Sequence, residues 1–245
     1  MIYFDNNSTT RVFQSTVEAM RPFLTEHFAN PASAIAQFGR IPQSIQANKA
    51  RLAKALGADA PDQLVITSGA TESNNLALLG TARAAPNRRH VIVSSIEHPS
   101  VMEVCELLRA DGYRISTLPV RPEGIVDEEA LAGMLAVDTL LVSVMLANNE
   151  TGVIQPVGSL AKTVKRRDPA VLIHTDATQA VGKMPIDLSG YLAEVDLLSL
   201  SAHKFHGPKG TGALFVRDNN ILAPILYGGG QQKGLRAGTE NPTGL

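Results

Sequence analysis

The stretch Val195-Asp196-Leu197-Leu198-Ser199-Leu200, continuing as Ser201-Ala202-His203-Lys204-Phe205-His206-Gly207-Pro208-Lys209-Gly210-Thr211-Gly212, is the most informative part of this chain. Its first half is an apolar run, which is typical of a strand buried in a sheet. Lys204 follows it, between two histidines and ahead of a turn rich in glycine. A lysine whose pKa is lowered by its surroundings forms Schiff bases with carbonyl compounds. Because most lysines are simply solvated, the interpretation of Lys204 depends on the rest of the chain.

Short apolar segments alternate with amphipathic ones along almost the whole chain. The sequence predicts strands over residues 64–67, 90–95, 114–118, 139–145, 171–175, 195–200 and 212–216. It predicts helices over residues 15–27, 42–56, 71–84, 99–111, 127–136 and 157–167. This alternation indicates an α/β fold with a mostly parallel central sheet and helices on both faces.

The composition is ordinary for a globular protein and favours no charged partner. Of the 245 residues, 44% are hydrophobic and 18% are charged, and the net charge is −1. This balance gives no electrostatic case for nucleic acid or an anionic membrane. The first residues do not read as a signal peptide, and no apolar run is long enough to span a bilayer. The single cysteine, Cys105, fits a reducing compartment, so we expect a cytoplasmic protein.

Polar side chains follow five of the predicted strands at the point where each strand ends. In open α/β sheets, ligands bind where the strands end and the following loops begin. The five segments are residues 68–74, 96–99, 148–152, 176–179 and 201–206. We therefore expect these loops to build one site.

Each segment has a chemical interpretation and a plainer alternative. Ser68-Gly69-Ala70-Thr71 opens a helix, where small residues let backbone N–H groups approach a phosphate; simple capping by Ser68 or Thr71 is the alternative. Asp176 could hold the ring nitrogen of a pyridinium cofactor protonated, or could cap the next short helix. Gln179, one helical turn further on, could donate to a phenolic oxygen.

The remaining candidates are weaker when each is taken alone. His98 could stack on an aromatic ring or move protons, although a lone histidine is usually structural. Asn149 could equally be a turn residue. Arg236 and Thr239, in a glycine-rich loop, could bind phosphate, and the alternative is a flexible surface loop. Cys105 lies among apolar helix positions and is predicted to be a core residue rather than a reactive thiol.

Taken in order, these segments resemble the NifS/IscS-like cysteine desulfurases, pyridoxal 5′-phosphate (PLP) enzymes of the class V aminotransferase superfamily. The resemblance extends over nearly the whole chain. It rests on the segments Tyr3 to Thr10, Asn30 to Ser33, Thr67 to Ser73, Glu97 to Pro99, Asn148 to Gly152, His174 to Gly182, Ser201 to Lys204 and Arg236 to Asn241. It implies the large domain of PLP-transferase fold type I.

The resemblance also implies a role for each candidate residue. Lys204 would bind PLP covalently and move the α-proton of the substrate, and His98 would stack on the ring and assist proton transfer. Asp176 would pair with the ring nitrogen, Gln179 would bond the ring oxygen, and Asn149 would contact cofactor or substrate. The phosphate would be held by Ala70, Thr71, Ser201 and His203, and by Thr239 of the second subunit of a homodimer.

The implied reaction removes sulfur from L-cysteine, giving L-alanine and a persulfide on a cysteine thiolate of the enzyme. The sulfur would then pass to an acceptor scaffold protein, as in iron–sulfur cluster assembly. We expect residues 1–14 to be an N-terminal arm that belongs to the small domain in relatives, and residues 15–245 to be the PLP-binding large domain.

The sequence departs from the family pattern in three respects. Relatives continue for more than a hundred residues beyond the counterpart of Leu245, into a C-terminal small domain that carries the sulfur-accepting cysteine and the arginine for the substrate carboxylate. We expect that small domain to be absent here, and the arm to expose apolar surface. Ala36 stands where relatives usually have histidine, and Gln232 replaces a usual glutamate.

Three alternatives to a cysteine desulfurase stay open from the sequence. The first is a non-catalytic PLP-binding protein that acts through dimerisation. The second is a related selenocysteine lyase or another C–S lyase. The third is a metal hydrolase using His203 and His206 together with His174 and Asp176, which leaves Lys204 unexplained.

Overall fold

The computed structural model describes residues 2–245, apart from the side chains of Gln37 and Phe38. Its helices are α1 (Gln14–Thr25), α2 (Ala34–Phe38), α3 (Ile41–Leu56), α4 (Ala70–Ala84), α5 (Pro99–Ala110), α6 (Glu128–Met134) and α7 (Val157–Arg167). Its strands are β1 (Leu64–Thr67), β2 (His90–Ser94), β3 (Arg114–Leu118), β4 (Thr139–Ser143), β5 (Leu172–Asp176), β6 (Leu197–Ser201) and β7 (Gly212–Val216). Short 3₁₀ turns lie at Pro61–Gln63, Ala202–Lys204, Asn219–Ile221 and Gln231–Gly234.

The seven strands form one sheet in the order β1-β7-β6-β5-β4-β2-β3. The strands β6, β5, β4, β2 and β3 are parallel to one another. Strand β7 runs antiparallel to both of its neighbours, β6 and β1. The prediction of a mostly parallel sheet is confirmed. The parallel strands end at one edge, so the loops that follow them meet there.

Helices cover both faces of the sheet, as predicted. Successive residues of a strand point to opposite faces. In β2, Val91 and Val93 pack in one apolar cluster with residues of α4 and α5, while Ile92 packs in the other with residues of α3, α6 and α7. Both faces are therefore buried, which explains why the strands read as continuous apolar runs.

The element ends differ from the sequence prediction by one or two residues at most strands. The predicted strand 171–175 extends through Asp176, and the predicted strand 195–200 is observed as Leu197–Ser201. Asp176 and Ser201 are therefore the last residues of their strands rather than loop residues. The short helix α2 was not predicted, because five residues give too little periodicity to detect.

Cys105 lies in α5 with 1% of its surface exposed, within the apolar cluster on that face. Burial raises the pKa of its thiol to about 12. The prediction of a core residue is confirmed. Within residues 2–245, no helix is both long and apolar enough to cross a membrane.

Candidate functional site

A cleft of about 760 Å³ opens where the parallel strands end. It is lined by nine of the predicted site residues, namely Ala70, Thr71, His98, Asn149, Asp176, Gln179, Ser201, His203 and Lys204. The five polar loops thus form one site, as the sequence predicted. Thr239 is exposed and lies outside the residues that line this cleft.

The turn between β1 and α4 presents the start of a helix to the cleft. Gly69 has φ +153°, a conformation that favours glycine, and a Cβ on Gly212 would lie only 2.6 Å from the Gly69 Cα. Among the described residues, no side chain caps α4, so the capping alternative for Ser68 and Thr71 is not observed. Helix N-termini with free N–H groups attract anions.

Arg236 contacts this turn through an ion pair with Glu72. Its Nε lies 2.6 Å from Glu72 Oε1, and Glu72 Oε2 accepts a hydrogen bond of 2.8 Å from the Ser68 N–H. Burial opposes ionisation of Glu72, but hydrogen bonds from Arg236 and Ser68 outweigh it and hold its pKa below the ordinary value. Arg236 therefore pairs with a carboxylate of its own subunit and is not among the residues that line the cleft.

Lys204 ends the 3₁₀ turn that follows β6. Its Nζ donates to two backbone carbonyls of the N-terminal segment, Asn7 O at 2.7 Å and Ser8 O at 2.8 Å. Burial lowers the pKa of Lys204, against the opposing charges of Asp176 and Asp5. A lowered pKa increases the neutral amine that reacts with carbonyl carbons.

Asp176 and Gln179 lie on the wall next to Lys204. Asp176 is 5% exposed; its Oδ2 accepts from Asn74 Nδ2 at 2.8 Å, and its Oδ1 accepts from the Thr178 N–H at 2.9 Å. The contact with the Thr178 N–H is the capping role that the sequence offered as an alternative for Asp176. One carboxylate oxygen thus caps the turn, while the other accepts from Asn74. Gln179 Nε2 donates to Asn7 O at 3.0 Å. Lys183 Nζ donates to Gln179 Oε1, which fixes the orientation of the amide.

His98 is the N-cap of α5, and its Nδ1 accepts from the Ser100 N–H at 3.1 Å. The neighbouring residue Glu97 is buried. Its Oε1 accepts hydrogen bonds from Ser94 Oγ and from the Met145 N–H, and these two contacts join the ends of β2 and β4. Burial raises the pKa of Glu97 to about 8, which keeps the carboxyl mostly neutral at pH 7.

The loop after β4 carries Asn149 into the cleft. Asn148 Nδ2 anchors this loop by donating to Ile96 O at 3.1 Å, and Asn7 Nδ2 donates to Asn149 O. His203 lies at the opposite wall, where its Nδ1 is 3.1 Å from Thr9 Oγ1. Asn7 and Thr9 therefore tie the N-terminal segment to both walls.

Two residues at which the sequence departs from the family pattern have clear structural roles. Gln232 pairs with the edge strand β1, donating to Ile66 O and accepting from Ile66 N–H, both at 2.7 Å. A glutamate could accept from this N–H but could not donate to the carbonyl. Ala36 is fully buried in a small cluster with Ile41 and Ile45.

Several residues of the site were missed by sequence reasoning. Asp5, Asn7 and Ser8 line the cleft although they lie almost two hundred residues from Lys204, and no local pattern signals such a contact. Lys183 could have been found from its i, i+4 spacing to Gln179. Asn74 and Ser100 each directly follow a segment that resembles the family, but nothing in their spacing distinguished them.

The metal-hydrolase alternative is not supported by the site geometry. Both ring nitrogens of His174 are engaged by hydroxyls, Nδ1 with Ser143 at 2.8 Å and Nε2 with Ser199 at 3.0 Å. Within the described part of the chain, no three His, Cys, Asp or Glu side chains come close enough to hold a metal ion.

Comparison with known proteins identifies the class to which this fold and site belong. The profile of the family described as aminotransferase class-V matches residues 2–244, and the chain belongs to that family. It is 45% identical to a cysteine desulfurase IscS of Dictyoglomus turgidum and 42% identical to a cysteine desulfurase NifS of Azotobacter vinelandii. Each alignment covers the whole chain but only 61% and 60% of the relative.

Solved structures agree with the sequence comparison. A structure described as a NifS-like protein superimposes with a TM-score of 0.94 at 41% identity, covering 99% of this chain and 66% of the other. A structure of SspA in complex with cysteine gives a TM-score of 0.94 at 36% identity, covering 100% and 70%. The resemblance to NifS/IscS-like cysteine desulfurases and the PLP-transferase type I fold are thus confirmed, while the chain spans about three fifths of its curated relatives.

Proposed function

We propose that this chain is the PLP-binding part of a cysteine desulfurase that converts L-cysteine into L-alanine and a persulfide. In this proposal residues 15–245 form the large domain, and residues 1–14 are an arm that packs with the small domain in relatives. The observation that carries the proposal is the convergence of Lys204, Asp176 and His98 on one cleft beside an uncapped helix N-terminus.

The residues of the cleft fit PLP in size and in chemistry. A volume of about 760 Å³ lies within the range of small-molecule sites. The cleft offers a carboxylate for a ring nitrogen at Asp176, and a lysine with lowered pKa for an aldehyde at Lys204. Thr178 lines the cleft, and its Oγ1 has no hydrogen-bond partner among the described residues.

The assignment of contacts follows the family resemblance. Ala70, Thr71, Ser201 and His203 would hold the phosphate, Asp176 the ring nitrogen, Gln179 the ring oxygen, and Asn149 the cofactor or substrate. Thr239 would reach the phosphate of the partner subunit in a homodimer. When bound, PLP supplies an electron sink for the pair released at the substrate α-carbon.

The residues of this chain supply binding, orientation and proton transfer. Before Lys204 can react, its Nζ must release the carbonyl oxygens of Asn7 and Ser8. The N-terminal segment therefore loses two hydrogen bonds to Lys204. The amide of Gln179 faces the cleft with its Nε2 because Lys183 holds the oxygen. Lys204 Nζ then carries the α-proton of the substrate, and His98 lies on the same cleft to assist that transfer.

The sulfur-accepting thiolate is not provided by Cys105. That side chain is 1% exposed in the core, and burial raises its pKa to about 12, so it is neither accessible nor ionised. In relatives the acceptor lies in the part of the protein that these 245 residues do not match. L-Cysteine as the substrate is supported by the desulfurase relatives and by the cysteine complex of SspA.

We further propose that the protein forms a homodimer in the cytoplasm and has a sulfur-acceptor scaffold protein as a partner. Support for the dimer comes from Thr239, which is exposed and lies outside the cleft of its own subunit. The cytoplasm and the scaffold protein rest on the family resemblance alone.

Borohydride trapping tests the cofactor assignment. The chain mixed with PLP and reduced should gain a stable pyridoxyl group on the peptide that contains Lys204, because reduction makes a Schiff base permanent. The variant Lys204→Ala should lose this label completely and keep its fold. Lys209→Ala is the matched control, since Lys209 lines the same cleft, has no assigned contact with the cofactor and should leave labelling at Lys204 in place. Label retained in Lys204→Ala would contradict the assignment.

A further inference from the structure

Asn74 and Ser100 join His98 to Asp176 through a chain of hydrogen bonds. Asn74 lies in α4 with no exposed surface, and its Nδ2 donates to Asp176 Oδ2 at 2.8 Å and to Ser100 Oγ at 2.8 Å. Ser100 Oγ in turn lies 2.8 Å from His98 Nδ1. Neither Asn74 nor Ser100 belongs to the cofactor contacts that the resemblance implies.

The direction of each hydrogen bond in this chain follows from its donors. The amide nitrogen of Asn74 has two hydrogens, and both are used. Ser100 Oγ therefore accepts from Asn74 and has its own hydrogen to give to His98 Nδ1. The Ser100 backbone N–H, which can only donate, points to the same Nδ1 at 3.1 Å. Two donors thus converge on Nδ1, which accepts them only when it carries no proton.

The opposite orientation of the Asn74 amide is excluded by Asp176. A reversed amide would place Oδ1 against the carboxylate oxygen Oδ2, and two acceptors would meet without a hydrogen between them. In the observed orientation Asn74 Oδ1 is buried with no partner among the described residues. The fold therefore leaves one acceptor of Asn74 unsatisfied and keeps both donor contacts.

We propose that Asn74 and Ser100 are positioning residues that hold His98 in the tautomer with its proton on Nε2. Nε2 lies on the ring edge away from Ser100, and His98 borders the cleft. A neutral His98 held in this way can donate a proton from Nε2, while its Nδ1 is already engaged by Ser100. This consequence for catalysis rests on the proposed function, whereas the tautomer itself does not.

Nitrogen-15 NMR of the cofactor-free chain, labelled at histidine, tests the tautomer directly. The His98 signals are assigned by their loss in His98→Gln. The wild-type chain should show an unprotonated Nδ1 and a protonated Nε2 for the neutral ring. In Ser100→Ala, the ratio of this tautomer to the other should fall about tenfold, the factor that one ordinary hydrogen bond supports. Ser100→Thr, which keeps the hydroxyl, should restore the ratio.

Asn74→Leu should lower the same ratio, because the Ser100 hydroxyl then becomes free to accept from Nδ1. Asn75→Leu is the matched control, since Asn75 lies on the same helix and donates to Thr71 O outside this chain of contacts. A protonated Nδ1 in the wild type, or an unchanged ratio in folded Ser100→Ala, would overturn the proposal. Ser100→Ala removes only a half-buried hydroxyl, so the test stands even if Asn74→Leu does not fold. PLP binding, measured separately, would show whether the proposed function fails instead.

Discussion

Cys105 is the only thiol of the chain, which makes its environment easy to probe. Because the thiol is buried and its pKa is raised to about 12, a thiol reagent should react with the native protein only at the rate at which it unfolds. In urea the reaction should become fast. Rapid stoichiometric reaction of the native chain would show that Cys105 is accessible.

Replacing Cys105 should affect stability and not cofactor chemistry. Cys105→Ala removes a sulfur from a packed cluster, so the free energy of unfolding should fall by about 1 kcal/mol in urea titration. Leu107→Ala is a suitable control, because Leu107 lies in the same helix but is half exposed. Covalent PLP attachment should be unchanged in both. Loss of attachment with unchanged stability in Cys105→Ala would contradict this account.

At the scale of single residues, the sequence predicted side chains that end buried strands, and the structure brings them together. Asp176 and Lys204 were found this way because an apolar run followed by an ionisable residue is unusual. Asn7 was not, since its contacts with Lys204 and Gln179 depend on how the N-terminal segment folds over the cleft. Such contacts are set by tertiary packing and leave no periodic trace in the sequence.

At the scale of elements, three neighbouring strands are joined by one neutral histidine. His174 in β5 binds Ser143 of β4 and Ser199 of β6, and burial lowers its pKa to about 4. In the unfolded chain a histidine has a pKa of about 6.5. The unfolded state therefore binds more protons between these values, and the stability present above pH 6.5 is lost as the pH falls toward 4.

Urea unfolding at several pH values measures this effect. The free energy of unfolding should fall between pH 6.5 and 4, with His174 contributing on the order of 3 kcal/mol. The glutamine in His174→Gln does not titrate. In this variant the number of protons taken up on unfolding within this pH window should be smaller by about one. His27→Gln, which alters a histidine beyond α1, is the control. An equal slope in His174→Gln and wild type would show that His174 is not held neutral.

The elements themselves were predicted well because their periodicity is strong. The seven strands and all helices except α2 appear where apolar runs and amphipathic patterns place them. The direction of β7 could not be predicted in the same way, because a strand that returns antiparallel has the same buried pattern as its parallel neighbours. The pairing of Gln232 with the edge strand β1 could not be predicted from the sequence either, because it joins residues 166 positions apart.

At the scale of the whole molecule, the N-terminal region leaves apolar side chains uncovered. Phe4 is 94% exposed and Phe28 is 76% exposed. Exposed apolar surface of this kind is typical of faces that pack against further protein. Phe4 belongs to the predicted arm, residues 1–14, for which exposed apolar surface was expected, whereas Phe28 lies beyond α1.

Mixtures of two variants test the proposed homodimer, in which Thr239 would act across the subunit interface. Dimers of Thr239→Val alone should bind PLP about tenfold more weakly, since each site loses a hydrogen bond to phosphate. Mixing Thr239→Val with Lys204→Ala subunits should restore tight covalent binding at one site per mixed dimer. That site combines Lys204 of one subunit with Thr239 of the other. If Thr239 acted within its own subunit, mixing would restore nothing.

The assignment of the cleft as a PLP site is tested by the visible absorbance of the PLP-loaded chain before and after addition of L-cysteine. We expect a yellow band that depends on Lys204 and that shifts when L-cysteine is added, because Lys204 and the proposed cofactor site, where an amino acid would exchange, lie within these residues. A band that does not shift with L-cysteine would indicate that substrate exchange needs the part of the relatives that these 245 residues do not match. The absence of any band in the wild-type chain would contradict the assignment of the cleft as a PLP site.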